Sequence, residues 1–139
     1  MKKSTLLNSE ISYVIANMRH TDTLVIGDAG LPVPSLVPQI DLAVMQGIPD
    51  FISVLKATLS ELRIEKVTLA EEIKEASTNL HEEIIELLNN MQQQEHIQIQ
   101  VEYISHQAFK AKTSESKVIV RTGEFSPYAN IILESGVVF

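Results

Sequence analysis

Apolar residues recur every three to four positions in several stretches of the chain, which is the spacing that buries one face of a helix. These stretches are residues 9–19, a helix from Asp50 through Leu62, a longer helix that starts at Ser77 or Thr78, and a short helix from Ser105 to about Lys112. Each starts at or beside a Ser, Thr, Asn or Asp, whose side chain can cap the first turn. Glutamines at 92–94 are expected to end the longest helix in polar residues.

Between the helical stretches lie short runs that are rich in β-branched residues or that alternate apolar with polar residues, and these predict strands. The predicted strands are residues 23–27, 40–44, 67–70, 97–103, 117–120, 131–133 and 137–139. Because strands alternate with helices, the pattern predicts a three-layer α/β/α arrangement around a mostly parallel or mixed sheet. The chain has no internal repeat and no long linker, so residues 1–139 are expected to form a single domain.

Composition argues against several classes of function. The net charge is -7 and no stretch is dense in Lys or Arg, so binding to a nucleic acid backbone is not expected. The absence of cysteine excludes disulfides, thiolate catalysis and Cys-based metal sites. No apolar run approaches the roughly 18 residues that cross a bilayer, and Leu6-Leu7 gives way at once to polar residues instead of forming a signal peptide. We therefore expect a cytoplasmic protein without membrane association.

Residues 121–130, RTGEFSPYAN, hold the densest group of polar side chains, directly after a predicted strand. They combine a guanidinium, a carboxylate, two hydroxyls, a phenol and a carboxamide with one Gly and one Pro. Ligands of open α/β sheets usually bind where strands end. The loop is therefore a candidate ligand site, although a turn whose polar groups bond only its own backbone is the alternative.

Two other polar residues, Asp28 and His106, also follow predicted strands, and His20 lies one short link before the first strand. If the strands run in the same direction, these residues and the 121–130 loop can converge on one crevice. Lys110 lies four residues after His106, on the same helical face, and is a further candidate for contact with a ligand. Arg121 and Glu124 are expected to form an ion pair that braces the loop. His81 and His96 are expected to lie at the surface.

Five motifs together give the chain a resemblance to a known family. They are HTD at 20–22, VIGDAGLPVP at 25–34, AEEIK at 70–74, SHQAFK at 105–110 and RTGEFSPYAN at 121–130. In this collinear order, over essentially the whole chain, the sequence resembles the D-ribose pyranase family, which includes the related fucose mutarotases. The departures are small: Gly27 stands where alanine is common, Ser126 where threonine is common, and the stretch around 92–100 looks longer.

The resemblance implies an intramolecular isomerase that interconverts the pyranose and furanose forms of β-D-ribose without a cofactor, and that supplies the furanose to a ribose kinase. Opening a cyclic hemiacetal requires loss of the anomeric hydroxyl proton and protonation of the ring oxygen, which suits a group that titrates near neutrality. By resemblance His20 is the general acid, while Asp28, His106, Tyr128 and Asn130 hold the sugar hydroxyls. No metal ligand is implied.

Each of these residues also has an ordinary structural alternative. His20 could simply interact with a helix C-terminus, and Asp28 could cap the turn that follows it. Asn130 could be a satisfied turn amide, Tyr128 a packed tyrosine, and His106 an exposed residue of a first helical turn. For Lys110 a solvated side chain is the alternative.

The resemblance further implies a cyclic homo-oligomer, a decamer of two pentameric rings, with each pocket completed between neighbouring subunits. A hydrophobic content of 45% is compatible with large subunit contacts, but a monomeric core would use it equally well. Three alternatives remain for the function. They are a mutarotase acting on another sugar such as fucose, a non-catalytic module that binds ribose or a ribose phosphate, and a purely structural assembly subunit.

Overall fold

The computed structural model describes residues 1–139 as helices packed on both faces of one six-stranded sheet. The helices are α1 (Ser9–Asn17), α2 (Phe51–Leu59), α3 (Ile73–Ala76), α4 (Thr78–Glu95) and α5 (His106–Lys112), and a 3-10 turn follows over Thr113–Glu115. The strands are β1 (Thr23–Gly27), β2 (Gln39–Asp41), β3 (Ile64–Ala70), β4 (Gln100–Ile104), β5 (Val118–Arg121) and β6 (Ile131–Ser135).

The sheet has the strand order β2-β5-β1-β6-β3-β4, and its strands share one direction with a single exception. β5 is parallel to β1 and β2, and β3 is parallel to β4, whereas β6 runs antiparallel to both β1 and β3. The C-terminal ends of β1, β3, β4 and β5 therefore meet the N-terminal end of β6 at one edge, which we call the carboxyl edge. The opposite edge, with the C-terminal end of β6, is the amino edge.

Side chains of successive strand residues enter two different cores, as the two-residue period of a strand requires. Leu24 and Ile26 of β1 join a cluster of 24 buried residues that includes the apolar faces of α1, α2 and α4. Val25 points to the other face and joins a cluster of six, with Phe109 of α5 and Leu31 of the loop after β1. With the sheet buried on both faces, the predicted three-layer α/β/α architecture is confirmed.

Three of the four predicted helix caps form as expected. Asn8, Asp50 and Ser105 each accept a hydrogen bond from the backbone N–H three residues later, at 2.9, 3.3 and 3.1 Å. Ser77 precedes α4 but makes no cap. Its hydroxyl donates instead to the Pro127 carbonyl at 2.6 Å, which ties the start of α4 to the 121–130 loop.

One predicted strand is absent and three have the wrong extent. β3 begins at Ile64, before the predicted start at 67, and β4 begins at Gln100, after the predicted start at 97. Residues 137–139 form no strand, because β6 already pairs on both sides with β1 and β3 and the chain leaves the sheet after Ser135. The predicted strand over 40–44 is confined to Gln39–Asp41. Its only partner is β5, whose ladder ends where Asp41 pairs with Arg121. No helix has the length and apolar character to span a bilayer.

Candidate functional site

Polar side chains from three segments meet at the carboxyl edge of the sheet. Asp28 follows β1, His106 follows β4 as the first residue of α5, and the 121–130 loop connects β5 to β6. Asn130 directly precedes β6, whose reversed direction brings its first residue to the same edge. The convergence expected from the sequence is therefore present for these segments. We call Asp28, His106, Tyr128 and Asn130 the polar cluster.

Asp28 and Asn130 are joined by two hydrogen bonds. The Asp28 N–H donates to Asn130 Oδ1 at 2.9 Å, and Asn130 Nδ2 donates to Asp28 Oδ2 at 3.1 Å. The other carboxylate oxygen, Oδ1, accepts from the Gly30 N–H at 2.9 Å. Asn130 is fully buried. A carboxylate and an amide fixed in this way present an oriented set of hydrogen-bonding groups.

His106 and Tyr128 form the other half of the polar cluster. Their ring centroids lie 4.9 Å apart with the planes at 82°, and the His106 ring also stacks on Phe109. Tyr128 has a φ of 60°, a left-handed conformation that only a minority of non-glycine residues adopt. His106 Nδ1 is buried and has no hydrogen-bond partner. Strained backbone and unpaired buried polar atoms are both uncommon, and both occur preferentially at functional sites.

Glu72, in the segment between β3 and α3, holds the backbone of His106 in the polar cluster. Its carboxylate oxygens accept the backbone N–H of His106 at 2.9 and 3.1 Å, at the start of α5. This hydrogen bond, together with the nearby His106 ring, lowers the pKa of Glu72 below its ordinary 4.5. Glu72 belongs to the AEEIK motif at 70–74, but the sequence alone indicates no role for it. A carboxylate bonded to the N-terminus of a helix 34 residues away leaves no local signal.

A cleft of about 430 Å³ opens beside Asp28 and the 121–130 loop. The residues that line it are Asp28, Ala29, Gly30, Arg121, Glu124, Phe125, Ser126 and Pro127. Its size lies within the usual range for small-molecule sites. No group of three or more His, Asp or Glu side chains is arranged to hold a metal ion.

The ion pair predicted between Arg121 and Glu124 is wrong. Arg121 Nη1 pairs instead with Asp41 at 3.1 Å, because the two residues lie opposite each other on β5 and β2. Arg121 Nε also donates to the Ala29 carbonyl at 2.9 Å. Glu124 accepts the Phe51 N–H at 3.2 Å and so fixes the start of α2. Both residues brace the cleft, but through different partners from those expected.

Lys110 lies one helical turn beyond His106 on α5, as the sequence predicted. It is half-buried, and its ammonium group makes no hydrogen bond or ion pair within the chain. Its distance from the polar cluster along α5 is about 6 Å, a span that a lysine side chain can bridge.

His20 lies apart from the polar cluster. It precedes β1 at the amino edge of the sheet, whereas Asp28 follows β1 at the carboxyl edge. The five residues of β1 alone span roughly 17 Å. The His20 ring is half exposed and its Nε2 lies 2.9 Å from each carboxylate oxygen of Glu65. Within one chain, His20 and Asp28 therefore cannot contact the same small sugar.

His81 differs from its predicted surface position, whereas His96 is exposed as predicted. The His81 ring is half-buried, and its Nε2 forms a hydrogen bond with the Tyr103 hydroxyl at 2.7 Å. Lys74 Nζ lies 3.8 Å from the centroid of the Tyr103 ring. Burial, reinforced by the Lys74 charge, lowers the pKa of His81, and burial also raises the pKa of Tyr103.

Comparison with known proteins identifies the relatives of this chain. A D-ribose pyranase of Aliivibrio fischeri (strain ATCC 700601 / ES114) is 56% identical over 139 residues, which is all of both chains. The structure of Bacillus subtilis RbsD complexed with D-ribose matches with a TM-score of 0.91 and 41% identity over the whole of both chains. A fucose mutarotase from Streptococcus pneumoniae, in complex with L-fucose, shares the fold with a TM-score of 0.75 at 21% identity over both whole chains.

These relatives include both activities of the family to which the five sequence motifs pointed. The family model that matches the chain, described as the RbsD / FucU transport protein family, covers residues 1–138. The resemblance inferred from the motifs is thereby confirmed, and the chain belongs to the RbsD / FucU transport protein family.

Proposed function

We propose that this protein is an intramolecular isomerase that interconverts β-D-ribopyranose and β-D-ribofuranose, without a cofactor, and that it supplies the furanose to a ribose kinase. The observation that carries the proposal is the 56% identity, over all of both chains, with a protein named D-ribose pyranase. The 41% identical relative was solved with D-ribose bound, whereas the relative solved with L-fucose is only 21% identical. Ribose is therefore favoured over fucose as the sugar.

The reaction needs only proton transfers and the correct placement of hydroxyl groups. As the pyranose opens, the anomeric hydroxyl loses its proton and the C1–ring-oxygen bond breaks, with the electron pair going to that oxygen, which is then protonated. The open-chain aldehyde closes again through its 4-hydroxyl to give the furanose. Positioned acid and base groups typically accelerate such steps by about 10²- to 10⁴-fold.

We assign the holding of the sugar hydroxyls to the polar cluster. Asp28 lines the cleft and is held by its two hydrogen bonds with the buried Asn130, so its carboxylate can accept sugar hydroxyls without reorganising. The unpaired Nδ1 of His106 supports a role for this ring as a ligand of the sugar, since a hydroxyl would satisfy it. Tyr128 lies against that ring, and Lys110 extends the same helical face toward a further hydroxyl.

We assign the general-acid role to His20, which requires a site made from two chains. His20 of one subunit would meet the polar cluster of its neighbour, as expected in a cyclic homo-oligomer such as a decamer of two pentameric rings. Exposed apolar side chains support a subunit contact beside the cleft. They include Val44, Met45 and Phe125, which are 78%, 62% and 61% exposed. We propose that the assembly is cytoplasmic.

NMR exchange spectroscopy on equilibrated D-ribose tests the function. We expect the wild-type protein to speed magnetisation transfer between pyranose and furanose signals, and His20→Ala to bind ribose without doing so. Saturable ribose binding by the wild type without faster exchange would point to the non-catalytic binding module. Faster exchange with L-fucose alone, run in parallel, would point to the fucose mutarotase.

A further inference from the structure

His20 is held by one carboxylate that takes no part in the polar cluster. The Nε2 atom of His20 lies 2.9 Å from both Oε1 and Oε2 of Glu65. Glu65 makes no other side-chain hydrogen bond, and its side chain is 39% exposed beside the 53% exposed His20 ring. His20 Nε2 is thus the only hydrogen-bond partner of this carboxylate within the chain.

The sheet contains an irregularity at the position of Glu65. In the β3–β6 ladder Ile64 pairs with Ser135 and Lys66 pairs with Glu134, so Glu65 is the extra residue of a β-bulge. A bulge changes the direction in which a strand side chain points and often lies next to a functional site. Here it accompanies a side chain that reaches His20 across the amino edge of the sheet.

The turn that presents His20 is also constrained. The Asp22 N–H donates to the Arg19 carbonyl at 3.1 Å, which closes a turn with His20 and Thr21 at its centre. Thr21 has a φ of 69°, a left-handed conformation that is a genuine outlier for a β-branched residue. Its N–H donates to the Ser135 carbonyl at 2.9 Å and so anchors the turn to the end of β6. Such a conformation persists only where the surroundings fix it.

Gly136 leaves the space that the Glu65 side chain needs. A Cβ at this position would lie 3.3 Å from Glu65 Cβ and 3.4 Å from Glu65 Oε2. The Gly136 N–H donates to the Arg63 carbonyl at 3.0 Å, which keeps the backbone close to β3. The bulge, the left-handed turn and this glycine therefore act together to hold Glu65 and His20 in contact.

We propose that Glu65 is a positioning residue that fixes the tautomer of His20, so that Nδ1 is the nitrogen that exchanges a proton with the sugar. An ionised carboxylate can only accept hydrogen bonds, so the hydrogen of the neutral ring lies on Nε2. This inference rests on the proposed role of His20. Nδ1 first acts as a base and takes the anomeric hydroxyl proton as the C1–ring-oxygen bond breaks. The resulting imidazolium then acts as the general acid and gives that proton to the ring oxygen.

The experiment uses the full-length protein with 15N-labelled histidine, as wild type, Glu65→Gln and the matched control Glu134→Gln. The Glu134→Gln substitution removes the same charge at the same edge of the sheet. The carboxylate of Glu134, however, pairs with Lys66 and not with His20. We expect the wild-type His20 spectrum to show a protonated Nε2 and an unprotonated Nδ1. Glu65→Gln should give a mixture of tautomers, because an amide can both donate and accept.

The effect of Glu65→Gln on kcat and KM distinguishes a residue that positions His20 from one that contacts the substrate. Glu65→Gln should lower kcat for ribose ring exchange by about tenfold or more while KM changes by less than about twofold, because Glu65 orients the acid and does not hold the sugar. Glu134→Gln should leave both unchanged. A wild-type His20 protonated on Nδ1, or a Glu65→Gln protein with wild-type tautomer and kcat, would overturn the proposal.

The spectrum also separates this inference from the proposed function. If the wild type does not accelerate ribose exchange at all, the proposed function fails, while the wild-type nitrogen signals still decide whether Glu65 fixes the tautomer. If ribose exchange is accelerated but His20 is protonated on Nδ1, the proposed function is supported and the proposed role of Glu65 is rejected. The wild-type measurement needs no variant and is not affected by a misfolded mutant.

Discussion

His20 and Asp28 lie at opposite ends of the same strand, β1, and face opposite edges of the sheet. A strand of five residues cannot bend its two ends onto a molecule the size of ribose, since it spans roughly 17 Å. If both residues act on one sugar, they must come from different chains, and each chain contributes to two different sites. A closed ring of identical subunits meets this requirement for every chain.

Subunit complementation tests this two-chain site. His20→Ala and Asp28→Asn should each be nearly inactive alone, but an equimolar mixture, unfolded and refolded together, should regain activity. In a random mixture about a quarter of the sites would combine the intact His20 of one chain with the intact Asp28 of its neighbour. The measurement is the ribose exchange rate of the mixture against that of each parent protein.

A second mixture is the control for this experiment. Asp28→Asn and Asn130→Ala both damage the polar cluster, and that cluster lies within one chain, so their mixture should be no more active than the average of the two parent proteins. Activity above that average in this control would show that the cluster itself is shared between chains. If the first mixture regains nothing although it assembles like the wild type, the two-chain site is wrong.

The parts of the site that could be predicted from sequence are those that follow from strand direction. Asp28 and His106 each follow an apolar strand, and parallel strands necessarily bring such residues to one edge. The mainly parallel sheet was favoured by the alternation of strands and helices. The short caps at Asn8, Asp50 and Ser105 could also be predicted, because their partners lie three residues away.

The parts that could not be predicted depend on pairing between distant segments. Nothing local shows that Arg121 meets Asp41, 80 residues away, rather than the nearby Glu124. The contact of His20 with Glu65 likewise depends on which strands become neighbours, and on a bulge that apolar periodicity does not reveal. Residues 137–139 have a strand-like sequence but no free strand beside them, so only the sheet order excludes a strand there.

Asn130 should contribute to both stability and binding, because it is buried and bonded to Asp28 through both ends of its amide. Asn130→Ala leaves the Asp28 N–H without its partner, and we expect it to lower the free energy of unfolding by about 1–3 kcal/mol and to raise KM for ribose. Urea unfolding at one fixed protein concentration measures the first effect. Asn90→Ala, on the exposed surface of α4, is the control and should cause no such loss.

Asn130→Asp keeps the shape of the side chain but removes its hydrogen-bond donor, so it tests the contribution of the hydrogen bonds to Asp28 separately from that of packing. It places a second carboxylate against Asp28, and two carboxylates at this separation resist ionising together. Its loss of stability relative to wild type should therefore be larger at pH 7 than at pH 5, where one group can take up a proton. An equal loss at both pH values would show that the Asp28 carboxylate is not in contact with residue 130.

Glu72 should make the start of α5 sensitive to acid. The His106 N–H lowers the pKa of Glu72 below 4.5, so the folded state holds this proton less tightly than the unfolded state. The resulting stabilisation is present above pH 4.5 and is lost as pH falls through the lower folded pKa. Glu72→Gln should reduce the fall in stability over this range and perturb the His106 ring signals. Glu75→Gln, on the exposed surface of α3, should change neither.

His81 should make stability fall as pH drops through a higher range. Burial and Lys74 lower the pKa of His81 below 6.5 in the folded state, so between that lower value and 6.5 the unfolded chain binds more protons than the folded one. The charges of Glu71 and Glu82 raise the pKa of His81, but they are weaker causes than burial and Lys74. Below the folded pKa of His81 the loss of stability is complete.

Thermal unfolding of the wild type between pH 7 and pH 5, at fixed protein concentration, should show this fall. His81→Asn should flatten the profile in that range, whereas His96→Asn, which alters an exposed histidine, should preserve it. A profile that is equally steep in both variants would mean that the titration of His81 does not cause the fall in stability.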